Sequence, residues 1–155
     1  MAEPRIHHFD PNRFRWDGVD ERDYKFHQGA EAGWGWRDVT RHVLTGRDDP
    51  AAFEMRYFEI GPDGHSTLEK HRHTHAVTIA RGQGKVLLGD RVIGARPYDF
   101  IYVPPHVPHQ FVNCGPQPFG FFCVVDRERD RPQALSPDEL TRLTAVRETA
   151  AVMRL

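Results

Sequence analysis

From residue 39 onward the apolar residues of this chain come in short runs that change face at every second position. Residues 39–44 and 53–60 read as strands, parted by a turn over 46–50. A second turn is predicted at Gly61–Gly64. Further short strands follow near 66–71, 75–81, 84–89, 91–94, 99–103, 109–113 and 119–126, punctuated by Gly82, Gly84, Gly89, Pro104, Pro105, Gly115 and Pro116. Strand–helix–strand alternation is absent, which argues against a parallel sheet. Many short strands with Gly and Pro turns predict an all-β sandwich or barrel.

The two flanks differ from this middle. Residues 1–38 show little periodicity but carry Phe9, Phe14, Trp16, Trp34 and Trp36, too many large aromatics for a disordered tail. An ordered arm is expected, packed on the barrel or on a partner subunit. The Gly33–Trp36 segment is a lesser candidate for a lid. Residues 131–155 switch to helical spacing. Ser136, Pro137 and Glu139 form a capping-box signature, and Leu140, Leu143, Val146, Ala150 and Met153 mark an apolar stripe. One C-terminal helix is predicted. The domain reading is an arm (1–38), a barrel (39–130) and a helix (131–155).

The chemistry lies in two histidine stretches. The first places Glu69, His71, His73 and His75 at alternate positions; the second carries His106 and His109 among Pro104, Pro105 and Pro108. In a straight strand, residues two apart share a face. Four polar groups on a core face are costly unless something satisfies them, and a divalent cation does so. The competing reading is a solvated edge whose histidines are merely hydrogen-bonded. His42 and His65 read as structural, and His7, His8 and His27 carry no motif.

These stretches resemble the motifs of the cupin superfamily, in particular its small single-domain, metal-binding members. The family's first motif runs glycine, five residues, histidine, one, histidine, three or four, glutamate, six, glycine. Asp63, Glu69, His71, His75 and Gly82 fit it without gaps, with Asp63 for glycine, Glu69 for the first histidine and His75 for glutamate. The second motif runs glycine, five residues, proline, one, glycine, two, histidine, three, asparagine. Tyr98, Pro104, His106, His109 and Asn113 fit it, with Tyr98 and His106 in place of glycines. A histidine replacing glycine at 106 is expected to need positive φ.

The resemblance implies a cupin-type double-stranded β-helix (jelly-roll) barrel, and makes Glu69, His71, His75 and His109 the metal ligands. A second register uses His71 and His73 as the paired histidines and leaves Glu69 unbound; Glu69 is then the candidate general base. In the first register His73 sits at the bend, exposed or behind the ligands. The implied cofactor is one divalent ion per chain, with Fe(II) favoured and Mn, Ni, Cu or Zn as alternatives. The implied activity is a dioxygenase. A redox-neutral isomerase or lyase, a non-catalytic small-molecule-binding cupin and a purely structural metal site stand as the other readings.

Met55, Tyr57, Tyr102, Phe111, Phe119, Phe121 and Cys123 are the pocket-lining candidates, with Arg56 either a carboxylate clamp or solvent-facing. Composition narrows the partners. A net charge of -1 with scarce lysine argues against nucleic acid and anionic membranes. No apolar run is long enough to span a bilayer, and the N-terminus lacks a basic-then-apolar leader, so a cytoplasmic location is expected. Cys114 and Cys123 read as reduced thiols. A small-molecule substrate and a homodimer are the expected partners.

Overall fold

In a computed structural model describing residues 3–25 and 35–155, the arm contributes β1 (Phe9–Asp10), β2 (Arg15–Trp16) and β3 (Glu21–Asp23). The barrel follows as β4 (Arg37–Thr45), β5 (Phe53–His65), β6 (His75–Arg81), β7 (Gly84–Leu88), β8 (Arg91–Ala95), β9 (Phe100–Val103), β10 (His109–Val112) and β11 (Phe119–Asp126). Helices α1 (Pro137–Ala145) and α2 (Arg147–Val152) close the chain. The larger sheet is antiparallel, in the order β8-β7-β10-β5-β11-β6-β9, with β4 against β5 and β3 against β4. Ala95 of β8 and Ile101 and Val103 of β9 share one buried cluster with Phe58, Ile60, Val77, Phe111 and Phe121. The two ends of the strand order therefore meet around a common core, as a curled jelly-roll sheet requires.

Most predicted strands are present, but 66–71 is not a separate strand. Instead β5 runs on through Gly61–Gly64 to His65, and only isolated bridges, Glu69 to His109 and Lys70 to Gln133, mark the stretch beyond it. The predicted turn is a bulge. Arg37 pairs with His65 while Val39 pairs with Ile60, so the extra residues of β5 are taken up between them. Asp63 has φ 60 there, and a Cβ on Gly61 would fall 1.8 Å from the Asp38 carboxylate.

The C-terminal helix is also different from expectation: it is two helices, broken at Val146, which is extended (φ -92, ψ 119). The capping box at Ser136 and Glu139 is present. The break turns Leu143, Thr149 and Val152 inward together, where Leu143 joins Leu68, Leu87 and Leu135 in a second apolar cluster. The buried Gln110 side chain ties the tail to β10: its amide donates to the Ser66 and Arg154 carbonyls and accepts from Arg154 N–H, at 2.8–2.9 Å.

The arm packs on the outer face of the barrel. Phe14 and Trp16 pack against Tyr57 in tilted and edge-on contacts, with ring centroids 5.4 and 5.0 Å away, and Trp16 also meets Phe122 and His42. Arg15 and Arg81 both reach the Glu59 carboxylate. No helix among the described residues is long and apolar enough to cross a membrane.

Candidate metal centre

His71, His75 and His109 converge: one donor atom from each lies within 4.8 Å of the others. They arrive from different places. His75 opens β6 and His109 opens β10, whereas His71 lies in the bend between Lys70 and β6. The stretch 69–75 is thus bent at His73, as in the register that uses His71 and His75, and is not one straight strand. The bend brings together two histidines four apart, and His75 Nε2 sits 2.7 Å from His71 Nε2.

Hydrogen bonds behind the rings fix which nitrogen faces the centre. His71 Nδ1 donates to the His73 carbonyl at 2.7 Å, and His109 Nδ1 donates to the Val107 carbonyl at 2.9 Å. A carbonyl only accepts, so both rings carry their proton on Nδ1 and turn an Nε2 lone pair inward. His75 Nδ1 lies 2.9 Å from Cys123 Sγ, which leaves its Nε2 facing His71. Two facing Nε2 atoms at 2.7 Å need one proton or one cation between them. Burial, and after it the neighbouring imidazoles, lowers the basicity of His71 to a pKa of about 3; His75 is lowered by the same causes, and His109 chiefly by burial. These are neutral imidazoles whose Nε2 atoms face inward, the donor set that mid-row divalent metals take.

His73 does not join the group. It is 8% exposed rather than free in solvent, its ring lies flat on that of His71, and its Nδ1 meets Asp130 Oδ1 at 2.8 Å. Asp130 also accepts from the backbone N–H groups of Arg72 and His73. Burial opposes its ionisation, but these hydrogen bonds outweigh it and hold the carboxyl well below the usual range. Asp130 carries no motif and lies 57 residues from His73, so nothing in the sequence marks it.

Glu69 is buried and joined to His109 by paired backbone hydrogen bonds. Its carboxylate stands outside the three convergent donors and is salt-bridged to Lys25 of the arm. Three motif positions that carry other residues in place of glycine adopt glycine-like backbone: Asp63 (φ 60), Tyr98 (φ 73) and His106 (φ 62). Gly82 (φ 67) occupies the fourth, where a Cβ would come 2.1 Å from the Pro118 carbonyl oxygen. Asn113, the last motif residue, donates to the Ile60 and Gln117 carbonyls and accepts from Gly115 N–H, which closes the turn before β11.

Of the lining candidates, Phe111, Phe121 and Cys123 face inward, and Phe111 stacks on Phe121 at 4.4 Å. Phe119 is a core residue at 0% exposure beside Gly84. Met55, Tyr57 and Tyr102, by contrast, do not face the interior. Along β5 the inward residues are Glu54, Arg56, Phe58 and Ile60, so Met55 and Tyr57 lie on the opposite face. Tyr57 lies under the arm with its hydroxyl donating to Glu59, and Tyr102 is 52% exposed. Arg56 is the inward one, at 8% exposure, with its guanidinium 3.7 Å from Cys123 Sγ.

His42 is fully buried between Trp16 and Tyr57, and His65 Nδ1 donates to the Ser66 carbonyl. Cys114 and Cys123 are both free thiols. His27 and the first part of the Gly33–Trp36 segment lie outside the described residues. A surface cavity of about 380 Å³ is lined by arm residues such as Asp10, Arg13 and Arg15, none of them from the imidazole group.

Comparison with known proteins agrees with this architecture. The profile of the Cupin domain family matches residues 56–125. The 1-methylthio-D-xylulose 5-phosphate methylsulfurylase of Rhodospirillum rubrum is 40% identical over 142 residues, covering 92% of this chain and 88% of that protein. The crystal structure of a cupin 2 conserved barrel domain protein from Rhodopseudomonas palustris superposes with a TM-score of 0.85 at 40% identity, covering 97% of this chain and all of that one. The polyketide cyclase RemF from Streptomyces resistomycificus superposes at 0.64 with 26% identity, over 77% of this chain and 87% of that one.

Proposed function

The chain belongs to the cupin domain family, and from that premise we propose that it is a metal-dependent enzyme acting on a small methylthio-substituted sugar phosphate. The observation that carries the reading is the inward turn of the imidazoles of His71, His75 and His109, with Cys123 Sγ against the back of one of them. These three side chains hold the ion, and Glu69, exchanging Lys25 for it, is the fourth donor. Bound there, a divalent metal supplies Lewis acidity toward a substrate carbonyl.

The rest is done by the chain's own groups. Phe58, Phe111 and Phe121 form an apolar wall that limits water at the centre. Cys123 is held as a thiol by burial, with Arg56 acting in the opposite direction. In the sulfur step a bond forms between Cys123 Sγ and the methylthio sulfur, and the substrate carbon–sulfur bond breaks. The carbon keeps the electron pair and takes the thiol proton, which leaves a methyl disulfide on Cys123. The test is incubation of metal-loaded protein with 1-methylthio-D-xylulose 5-phosphate, followed by intact mass. A methylthio increment that disappears in Cys123→Ser is the expected result; no substrate consumption sinks the reading.

A dioxygenase is the second reading, favoured by an imidazole-rich donor set suited to iron and by the aromatic wall. Oxygen uptake by Fe(II)-loaded protein, absent with Zn(II), separates it from the first. A second copy of this chain is the partner we expect, tested by sedimentation velocity.

A further inference from the structure

Arg56 is an arginine of the barrel interior that acts on Glu54 only at longer range. It is 8% exposed, and its Nε is buried without a hydrogen-bond partner. Its guanidinium sits over the Phe58 ring at 5.0 Å and against Cys123 Sγ at 3.7 Å. Among the described residues, no ion pair joins Arg56 to an acid. The inward carboxylate nearest along β5, Glu54, is taken by Arg129 at 2.9 Å and Arg47 at 3.5 Å. A buried guanidinium facing a sulfur and a ring, with Glu54 acting on it only at longer range, is stabilised by an anion that comes into direct contact with it.

A second guanidinium shares the face. Arg41 of β4 pairs with Phe58, and Val43 pairs with Arg56, so Arg41 and Arg56 are diagonal neighbours on adjacent strands. Arg41 alternates with the core residue Val39 and points to the same side. Its basicity is lowered by burial first and then by Arg56, as two close cations require. Cys123 Sγ is the shared neighbour of Arg56 and His75, so the cationic pair adjoins the imidazole centre.

We propose that Arg56 and Arg41 form a phosphate subsite beside the metal centre, holding the phosphomonoester of a short sugar phosphate whose other end reaches the imidazoles. The inference rests on the functional reading above for the position of the substrate, and adds the groups that select it. Two guanidiniums suit a dianion, and their planar forks match phosphate oxygens. Phe58, under Arg56, leaves the guanidinium edge to do the binding.

The test is calorimetric titration of metal-loaded protein with D-xylulose 5-phosphate and with D-xylulose, and of metal-free protein with inorganic phosphate. The expected result is at least tenfold tighter binding of the phosphorylated sugar. Arg56→Met abolishes that preference, and Arg56→Lys keeps part of it with unchanged metal content. Inorganic phosphate binds the metal-free protein and is weakened about tenfold by Arg56→Met. Equal binding of the two sugars by the unaltered protein overturns the proposal without any variant, as does a preference that survives in Arg56→Met. Because the phosphate arm needs no metal, its failure is distinct from failure of the metal reading, which shows as absent metal binding.

Discussion

The ring of His71 lies flat on the ring of His73, with centroids 3.6 Å apart and planes inclined by 6°. The same His73 accepts the His71 Nδ1 proton on its carbonyl. One histidine thereby sets both the orientation and the tautomer of the other. His73 in turn is fixed by Asp130, through its backbone N–H at 3.0 Å and its ring at 2.8 Å.

Removing the outer anchor should loosen the centre. Asp130→Ala is expected to weaken metal binding roughly 10- to 100-fold, the usual effect of losing such a supporting partner. Asp130→Asn, which keeps one accepting oxygen, should lose less. Competition against a chelator of known affinity measures both, and an unchanged Asp130→Ala affinity would show that the stack alone positions His71.

Metal should also hold the fold together. Chelator-treated protein is expected to melt at a lower temperature, and metal returned at 100 times its Kd should restore about 2.7 kcal/mol. Scanning calorimetry at several free-metal concentrations gives the comparison. A melting point independent of metal would mean that no site of useful affinity forms.

Acid should destabilise the metal-free protein early. The folded pKa values of His71, His75, His109, His42 and His65 lie below their ordinary value of 6.5, with burial as the first cause in each. The unfolded chain therefore takes up protons that the folded one refuses, and stability present above pH 6.5 is lost as pH falls toward about 3. Glu139, held at about 2 by Lys70 and the Ser136 N–H, adds a further loss below its ordinary 4.5. Urea midpoints across this window should fall steadily with pH; a flat profile from 7 to 5 would contradict neutral buried imidazoles.

Tyr98 offers a gain. It is 89% exposed, so its side chain contributes little packing, yet its φ is 73. Tyr98→Gly should relieve the left-handed strain and stabilise the protein by roughly 0.5–1 kcal/mol, after the greater chain entropy of glycine is counted. Thermal melts read the sign. At Gly82 the same logic reverses: Gly82→Ala meets the Pro118 carbonyl and should destabilise.

Much of this was legible in the sequence, and the misses have physical causes. Strand periodicity locates most of the barrel, and the two histidine stretches locate the centre. The phase of that periodicity is harder to assign, because both faces of β5 are covered. Tyr57 is fully buried under Phe14 and Trp16 of the arm, so its burial says nothing about the barrel interior. Gly61–Gly64 reads as a turn, but the register against β4 makes it a bulge within one strand, with Asp38 close against Gly61. Val146 sits at helical spacing, but the gain from turning Leu143 and Val152 inward together breaks the helix there. Asp130 acts through tertiary contact alone.

The corners at Asp63, Tyr98 and His106 show that the barrel depends on a handedness of the backbone rather than on glycine itself. Each keeps the left-handed bend that glycine would permit cheaply, and the imidazoles beyond still meet. The consequence is that a side chain can be mounted at each of these bends, as His106 is beside the metal centre, wherever the neighbouring structure meets the cost of a left-handed residue.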